Sequence, residues 1–303
     1  MRVAVLAGGL GGSRFALALT EALSHGDLTV VGNVGDDLEV AGLHVSPDLD
    51  TIVYTLAGVL DTDRGWGRAQ ETWNARATAE ELGAATWFQL GDRDLGLHLA
   101  RTEALREGEP LSSVTARIAK ALGVESAVLP ATDDRLRTRV ATPAGELTFQ
   151  EWFVKRGHQD EVDGVRYEGA EDARGAPGVL EALDGADLIA IAPSNPFMSI
   201  GPILAVEEIR TALERRRVPA VAVSPLIGGR TVRGPADRIL ERLKGGTSPA
   251  QIADCYNGLI DALVVDEADA DQEAGIETIV ARTLMSDADA RRRLAEAVLA
   301  VPV

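Results

Sequence analysis

Four aspartates on two successive loops, Asp36, Asp37, Asp48 and Asp50, have the clearest capacity for chemistry in this 303-residue chain. Carboxylates grouped in this way suit a hard divalent cation, and Mg²⁺ usually takes one or two of them together with substrate phosphates. Two of the four have ready structural uses. Ser46-Pro47-Asp48 reads as a helix start, with a serine cap, a proline in the first turn and an acid at the positive dipole end. Asp37 fits a turn. Asp36 and Asp50 have weaker structural uses and are the preferred metal ligands.

A second chemical signal opens the chain. The apolar run Val3-Ala4-Val5-Leu6 empties into Ala7-Gly8-Gly9-Leu10-Gly11-Gly12-Ser13-Arg14, and an amphipathic stretch follows. Glycine lets the backbone approach a ligand closely, and a helix start behind it offers free N–H groups and a positive dipole end. A phosphate suits such a loop, and Arg14 adds a wide guanidinium fork. The spacing is not that of a dinucleotide fingerprint, and no acid follows the next strand to hold a ribose.

These loops need a frame. Strand-like and helix-like segments alternate over the first third and again from about residue 185. The middle, roughly 125 to 175, has short strand-like runs joined by Pro, Gly and Asp turns. The pattern predicts an α/β fold, a doubly wound Rossmann-like parallel sheet with a mixed α+β insertion. The core is expected over residues 1–60 and 185–303, and the inserted helical and mixed strand region over 61–184. Helices are expected from Ser46 to about Leu60, over 68–82, 94–105 and 111–122, and later over 205–216, 235–243, 249–256 and 287–299. A strand over 146–153 would turn Trp152 and Phe153 to opposite faces. In such folds ligands sit at the carboxyl ends of strands. The glycine loop, Asn33-Val34-Gly35-Asp36-Asp37, Ala192-Pro193-Ser194-Asn195-Pro196 and Ser224-Pro225-Leu226-Ile227-Gly228-Gly229-Arg230 all fall at such ends.

Bulk properties narrow the function classes. A net charge of −17 argues against a broad basic surface for nucleic acid. No apolar stretch reaches the length of a membrane span, and the first apolar run is too short for a signal peptide. The single cysteine, Cys255, excludes an internal disulfide and fits a reducing cytoplasm. Gly91-Asp92-Arg93-Asp94 and Thr132-Asp133-Asp134-Arg135 read from spacing alone as capped helix starts or turns. The four histidines, His25, His44, His98 and His158, show no metal-ligand spacing.

Taken in order, the segments closely resemble the 2-phospho-L-lactate transferase family of deazaflavin coenzyme F(420) biosynthesis. The set is the glycine loop, Asn33-Val34-Gly35-Asp36-Asp37, Ser46-Pro47-Asp48-Leu49-Asp50-Thr51, Leu90-Gly91-Asp92-Arg93-Asp94, Leu129-Pro130-Ala131-Thr132-Asp133-Asp134, Phe149-Gln150-Glu151-Trp152, Ala192-Pro193-Ser194-Asn195-Pro196 and Ser224-Pro225-Leu226-Ile227-Gly228-Gly229. The likeness runs from residue 2 to at least residue 235. It implies a magnesium-dependent cytoplasmic transferase and a homodimer. The acceptor would be the deazaflavin alcohol Fo and the donor a guanosine diphosphate conjugate of a three-carbon acid, phospholactate, phosphoenolpyruvate or phosphoglycerate, with GMP released. By similarity Asp36 and Asp50 would hold Mg²⁺, with Asp50 near the attacking hydroxyl, and Arg93 and Asp48 would help bind Fo. Gly8, Gly9, Gly11, Gly12, Ser13, Asn33, Ser194 and Asn195 would take the nucleotide side.

Two other classes compete. A nucleotide-sugar-binding regulator of the gluconeogenesis-factor type shares the glycine loop and core, without enzymatic activity. Pro47-Asp48-Leu49-Asp50 and Gly91-Asp92-Arg93-Asp94 lean towards the transferase. A sugar-nucleotide nucleotidyltransferase resembles the opening loop only, since Phe15-Ala16-Leu17-Ala18 continues it differently and lysine is scarce.

Overall fold

The computed structural model describes residues 1–301. The strand β1 (Val3–Ala7), the helix α1 (Gly9–Ala22) and β2 (Leu28–Gly32) open the fold. A hairpin of β3 (Leu38–Val40) and β4 (Leu43–Val45) then leads to α2 (Pro47–Leu56). Three helices follow, α3 (Asn74–Glu81), α4 (Asp92–Arg106) and α5 (Leu111–Ala121), and end at β5 (Ala127–Pro130). An antiparallel sheet of β6 (Arg137–Thr142), β7 (Gly145–Thr148) and β8 (Gly164–Glu168) comes next, before α6 (Val179–Asp184) and β9 (Leu188–Ile191). The remainder runs through α7 (Gly201–Ala205), α8 (Glu207–Glu214), β10 (Ala220–Val223) and a ribbon of β11 (Leu226–Ile227) with β12 (Arg230–Thr231). It closes with α9 (Ala236–Lys244), α10 (Pro249–Cys255), β13 (Ala262–Asp266), β14 (Glu277–Ala281) and α11 (Ala288–Leu299).

Seven strands form one sheet in the order β14-β13-β10-β9-β1-β2-β5, and every neighbouring pair is parallel. Strands β1, β9, β10 and β13 are buried at every position, as parallel strands covered by helices on both faces must be. The expected α/β doubly wound class is what the chain adopts. Counted along the chain, the strand order reverses between β1 and β9. The carboxyl ends at such a reversal are where doubly wound folds bind ligands.

The segment 61–184 does not stand apart from this sheet. Its strand β5 pairs with β2, from Thr29 beside Ala127 to Gly32 beside Pro130, and forms the sheet's edge. Several expected boundaries shift. Helix α2 stops at Leu56, and Gly58 follows with φ +67. The helix expected over 68–82 is reduced to α3, because residues 61–73 form turns in which Gly65 and Gly67 have φ of +77 and +69. The strand expected over 146–153 ends at Thr148, and Glu151–Lys155 forms one π-helical turn. The cause is local: Glu151 accepts hydrogen bonds from the Thr148 N–H (3.1 Å) and hydroxyl (2.8 Å). Trp152 therefore turns into a small core with Val140, Val162, Met198 and Ile239, its indole donating to the Asp160 carbonyl at 3.1 Å. Phe153 stacks on Phe149, ring centres 5.2 Å apart, rather than facing away.

Candidate active site

The loops after β1 and β9 interlock. A Cβ at Gly11 would lie 2.7 Å from the Pro193 carbonyl oxygen, and one at Gly12 would lie 2.6 Å from Ser194 Oγ. Ser194 Oγ donates to the Gly8 carbonyl at 2.8 Å and accepts the Gly8 N–H at 3.4 Å. These glycines are thus required by the approach of one loop to another, before any ligand is considered. Gly9, with φ +65, turns the chain into α1.

The other polar residues expected on the nucleotide side are also spent on the protein. Ser13 donates to the Leu10 carbonyl and accepts from the Thr55 hydroxyl, both at 3.0 Å, which ties α1 to α2. Asn195 accepts from the Phe197 and Met198 N–H groups and caps the π-helical turn Pro196–Ile200. Asn33 is fully buried; its carbonyl accepts the Gly35 N–H at 2.7 Å and its amide donates to Asp48 Oδ2 at 2.9 Å. Their bonds hold these loops in place, and of this set Asn195, half-buried, has its amide group without a partner among the described residues.

The carboxylates differ. Asp36, Asp37, Asp48 and Asp50 are all buried, at 4, 4, 7 and 5% exposure. Asp48 closes on the glycine loop, so near that a Cβ at Gly8 would lie 2.5 Å from its Oδ2. Burial pushes the Asp48 carboxyl up to about 6, against the Asn33 amide and the Gly9 N–H, which favour its charged form. Burial and the neighbouring Asp48 together hold the Asp36 carboxyl well above the usual carboxylate range. Among the described residues Asp36 Oδ1, Asp37 Oδ1 and Thr138 Oγ1 are buried with no well-formed hydrogen bond, although Asn33 and Thr138 lie near enough to Asp36 to favour its charged form. Such atoms are costly unless something else satisfies them. The serine at the start of α2 does not cap it, as the sequence suggested. Its hydroxyl donates instead to Asp37 Oδ2 at 2.9 Å, beside His44 Nε2 at 3.0 Å from the same oxygen.

Asp50 has a different partner. Both its oxygens accept from Arg101, Oδ2 from Nη1 at 2.9 Å and Oδ1 from Nη2, and His98 Nδ1 stands 3.9 Å from Oδ2. Burial pushes His98 down to about 4, so it stays neutral beside the pair. Tyr54, one helical turn beyond Asp50, donates to Asp94 Oδ1 at 2.7 Å. Asp36 and Asp50, expected to share one metal, thus differ: Asp50 already has its counter-charge and Asp36 has none. Arg93 is exposed in the first turn of α4, and its backbone N–H donates to Glu71 Oε2 at 2.8 Å. Asp92 accepts from Asn74 and Ala75 N–H groups and so caps α3, while Asp133 accepts from the Ser112 N–H at the start of α5. Among the described residues no group of three His, Cys, Asp or Glu side chains is placed to hold a metal ion.

A family model described as 2-phospho-L-lactate transferase CofD matches residues 3–301. The chain belongs to this family. As a member it is a transferase of coenzyme F(420) biosynthesis. A phosphoenolpyruvate transferase of Streptomyces griseus is 43% identical over 99% of this chain and 98% of its own length. One from Mycolicibacterium smegmatis is 40% identical over 98% of this chain and 97% of its own. Two crystal structures of a UPF0052-family protein from Bacillus halodurans share the fold, with TM-scores of 0.64 and 0.65 at 18 and 20% identity. Each covers 98% of this chain, and 98 and 99% of the solved chains are matched. Among the described residues no helix of this transferase is long and apolar enough to cross a membrane.

Two residues of the candidate site had no role assigned from sequence, Arg101, which was not singled out, and Gln150, which was quoted only within a segment. Arg101 was marked only by its spacing, since His98, Arg101 and Thr102 fall on one face of α4. Gln150 donates to the Asp36 backbone carbonyl at 3.1 Å and so fixes the loop that carries this carboxylate.

Proposed function

We propose that this transferase moves a phosphoenolpyruvyl group from its guanosine diphosphate conjugate to the ribityl hydroxyl of Fo and releases GMP. The names of the relatives at 40–43% identity favour phosphoenolpyruvate over phospholactate as the acid carried. The observation that carries the reading is the buried Asp36 carboxylate beside Asp48, with no cation paired to it among the described residues, at the carboxyl end of the sheet next to the glycine loop. Two oxygen donors with no counter-charge fit Mg²⁺, which leaves further positions for substrate phosphates. Asp36 and Asp48 would hold the ion, while Asp50, paired with Arg101, would not share it.

Bound Mg²⁺ would neutralise charge on the diphosphate. The protein's own groups do the rest. Arg101 fixes Asp50 in one orientation, in which it would accept a hydrogen bond from the ribityl hydroxyl and take its proton. The hydroxyl oxygen forms a bond to the phosphorus that bears the three-carbon acid. The bond from that phosphorus to the GMP oxygen breaks, and GMP leaves with the electron pair. Ser194, Asn195 and Asn33 keep their loops rigid, so that little ordering remains when the substrates meet. Arg93, exposed and without a side-chain partner among the described residues, would reach the deazaflavin.

The test is a set of parallel incubations of purified protein, Mg²⁺ and Fo with the phosphoenolpyruvyl, phospholactyl and phosphoglyceryl conjugates, read by product mass and GMP release. Turnover, fastest with the phosphoenolpyruvyl donor, is expected. Absence of turnover with all three, with nucleotide binding intact, would overturn the reading in favour of a non-enzymatic nucleotide-binding protein.

A further inference from the structure

Helix α4 meets α2 through two of its side chains. Asp94 accepts from the Tyr54 hydroxyl at 2.7 Å, and two turns further on Arg101 donates to Asp50 Oδ2 at 2.9 Å. Arg93 stands in the first turn of the same helix and is exposed. The placement of that turn therefore decides where Arg93 stands relative to Asp50.

The turn is held from outside the helix. The first N–H groups of a helix have no partner within it. Those of Arg93 and Asp94 both donate to Glu71, to Oε2 at 2.8 Å and to Oε1 at 3.0 Å. The positive end of the helix dipole favours a carboxylate there. Room for it exists because position 91 is glycine, where a Cβ would run into Glu71 Cγ and Cδ. The segment of Glu71 is fixed in turn by Asp92. This aspartate accepts from the Thr72 hydroxyl at 2.6 Å and the Ala75 N–H at 3.1 Å, and its own N–H donates to the Thr72 carbonyl at 2.9 Å. The starts of α3 and α4 thus cap one another. Burial does not supply this hold, since α3 buries none of its residues. The polar bonds keep Glu71 against α4.

We propose that Glu71 is a positioning residue for the acceptor, which fixes the first turn of α4 and with it the place of Arg93 relative to Asp50. The inference rests on the transfer reading, which puts the acceptor at these two residues. Both oxygens of Glu71 are engaged by backbone N–H groups, so it acts through Arg93 and not on a substrate. Its effect falls on how the acceptor is bound and oriented, and the donor is indifferent to it.

The test is a double-mutant cycle in the whole protein, with Fo binding followed by absorbance beside steady-state kinetics with Fo and the phosphoenolpyruvyl donor. Glu71→Ala is expected to weaken Fo binding and raise its KM by about tenfold, with kcat lowered less than about threefold and the donor KM unmoved. Glu71→Gln keeps one oxygen that can accept an N–H, so its KM for Fo should fall between those of Glu71→Ala and wild type. Being isosteric, it reports even if the alanine variant does not fold. In an Arg93→Ala background, removing Glu71 should add less than about a further twofold. Equal losses of Fo affinity with and without Arg93 would overturn the proposal. So would a lowered melting temperature with Fo affinity unchanged, the mark of a residue that only supports the fold. Wild-type protein that binds no Fo would instead remove the transfer reading, and this inference with it.

Discussion

Around the glycine loop, Ser13, Asn33, Ser194 and Asn195 all hydrogen-bond to other parts of the chain, whereas Asp36 and Asp37 each keep a buried oxygen with no well-formed hydrogen bond among the described residues. Both regions lie at the carboxyl end of the same sheet, and both drew attention as small or acidic residues at strand ends. The first is a finished piece of protein architecture. The second is incomplete by one positive charge. Residue type and position therefore mark the neighbourhood of a candidate site, while unsatisfied hydrogen-bonding capacity separates the carboxylates in it that still need a partner from the side chains that do not.

The sharpest test of that contrast is Asp36→Asn. It removes a charge for which the fold supplies no partner, so melting temperature should hold or rise while Mg²⁺-dependent turnover falls by about a thousandfold or more. A fall in stability instead would place Asp36 with the satisfied scaffold. Next in size is Arg101→Met, which leaves Asp50 buried without its counter-charge and should cost about 3 kcal/mol or more in chemical unfolding. Adding Asp50→Leu to that variant should restore much of the stability and none of the activity.

Gly12→Ala probes the finished side. Its Cβ would enter the space of Ser194 Oγ, 2.6 Å away, and a loss of about 1–3 kcal/mol is expected as the two loops are forced apart. A variant as stable as wild type would mean that the interlock carries little load.

The smallest effect concerns pH. Burial pushes the Asp94 carboxyl up to about 6, with the Tyr54 hydroxyl opposing and Asp50 and Glu71 reinforcing. The folded protein then holds this proton more tightly than the unfolded chain, so the contribution to stability is present at low pH and is lost as pH rises through about 6. Asp94→Asn should match wild type near pH 4 and gain about 1–2 kcal/mol over it by pH 7. Parallel pH profiles for the two proteins would remove Asp94 from the account.

Much of this was legible beforehand. The apolar run before the glycines made β1, and the strand-ending loops were recognised because buried parallel strands read as unbroken apolar segments. Asp36 stood out for lack of another use, and the structure leaves it without one. What was misread has local causes. Thr148-Phe149-Gln150-Glu151 carries the T-x-x-E pattern of a capping box, yet the aromatic alternation suggested a strand. Ser46 looked like a helix cap because its sequence neighbours are right, but the carboxylate of Asp37 competes for the same hydroxyl. Asp50 looked like Asp36 because its partner, Arg101, lies 51 positions along the chain, beyond the reach of any local pattern.

Distance along the chain has one more consequence, at the clasp between Ser194 and Gly8. The two residues are 186 positions apart, and β1 acquires its second neighbour only when β9 arrives. Contacts of such long range form late and slowly, because the intervening loop must first be closed. A chain leaving the ribosome carries its glycine loop from the start, exposed and unshaped, until almost two-thirds of the protein has followed. Shortened products that stop before β9 therefore contain most of the site's residues and none of its geometry.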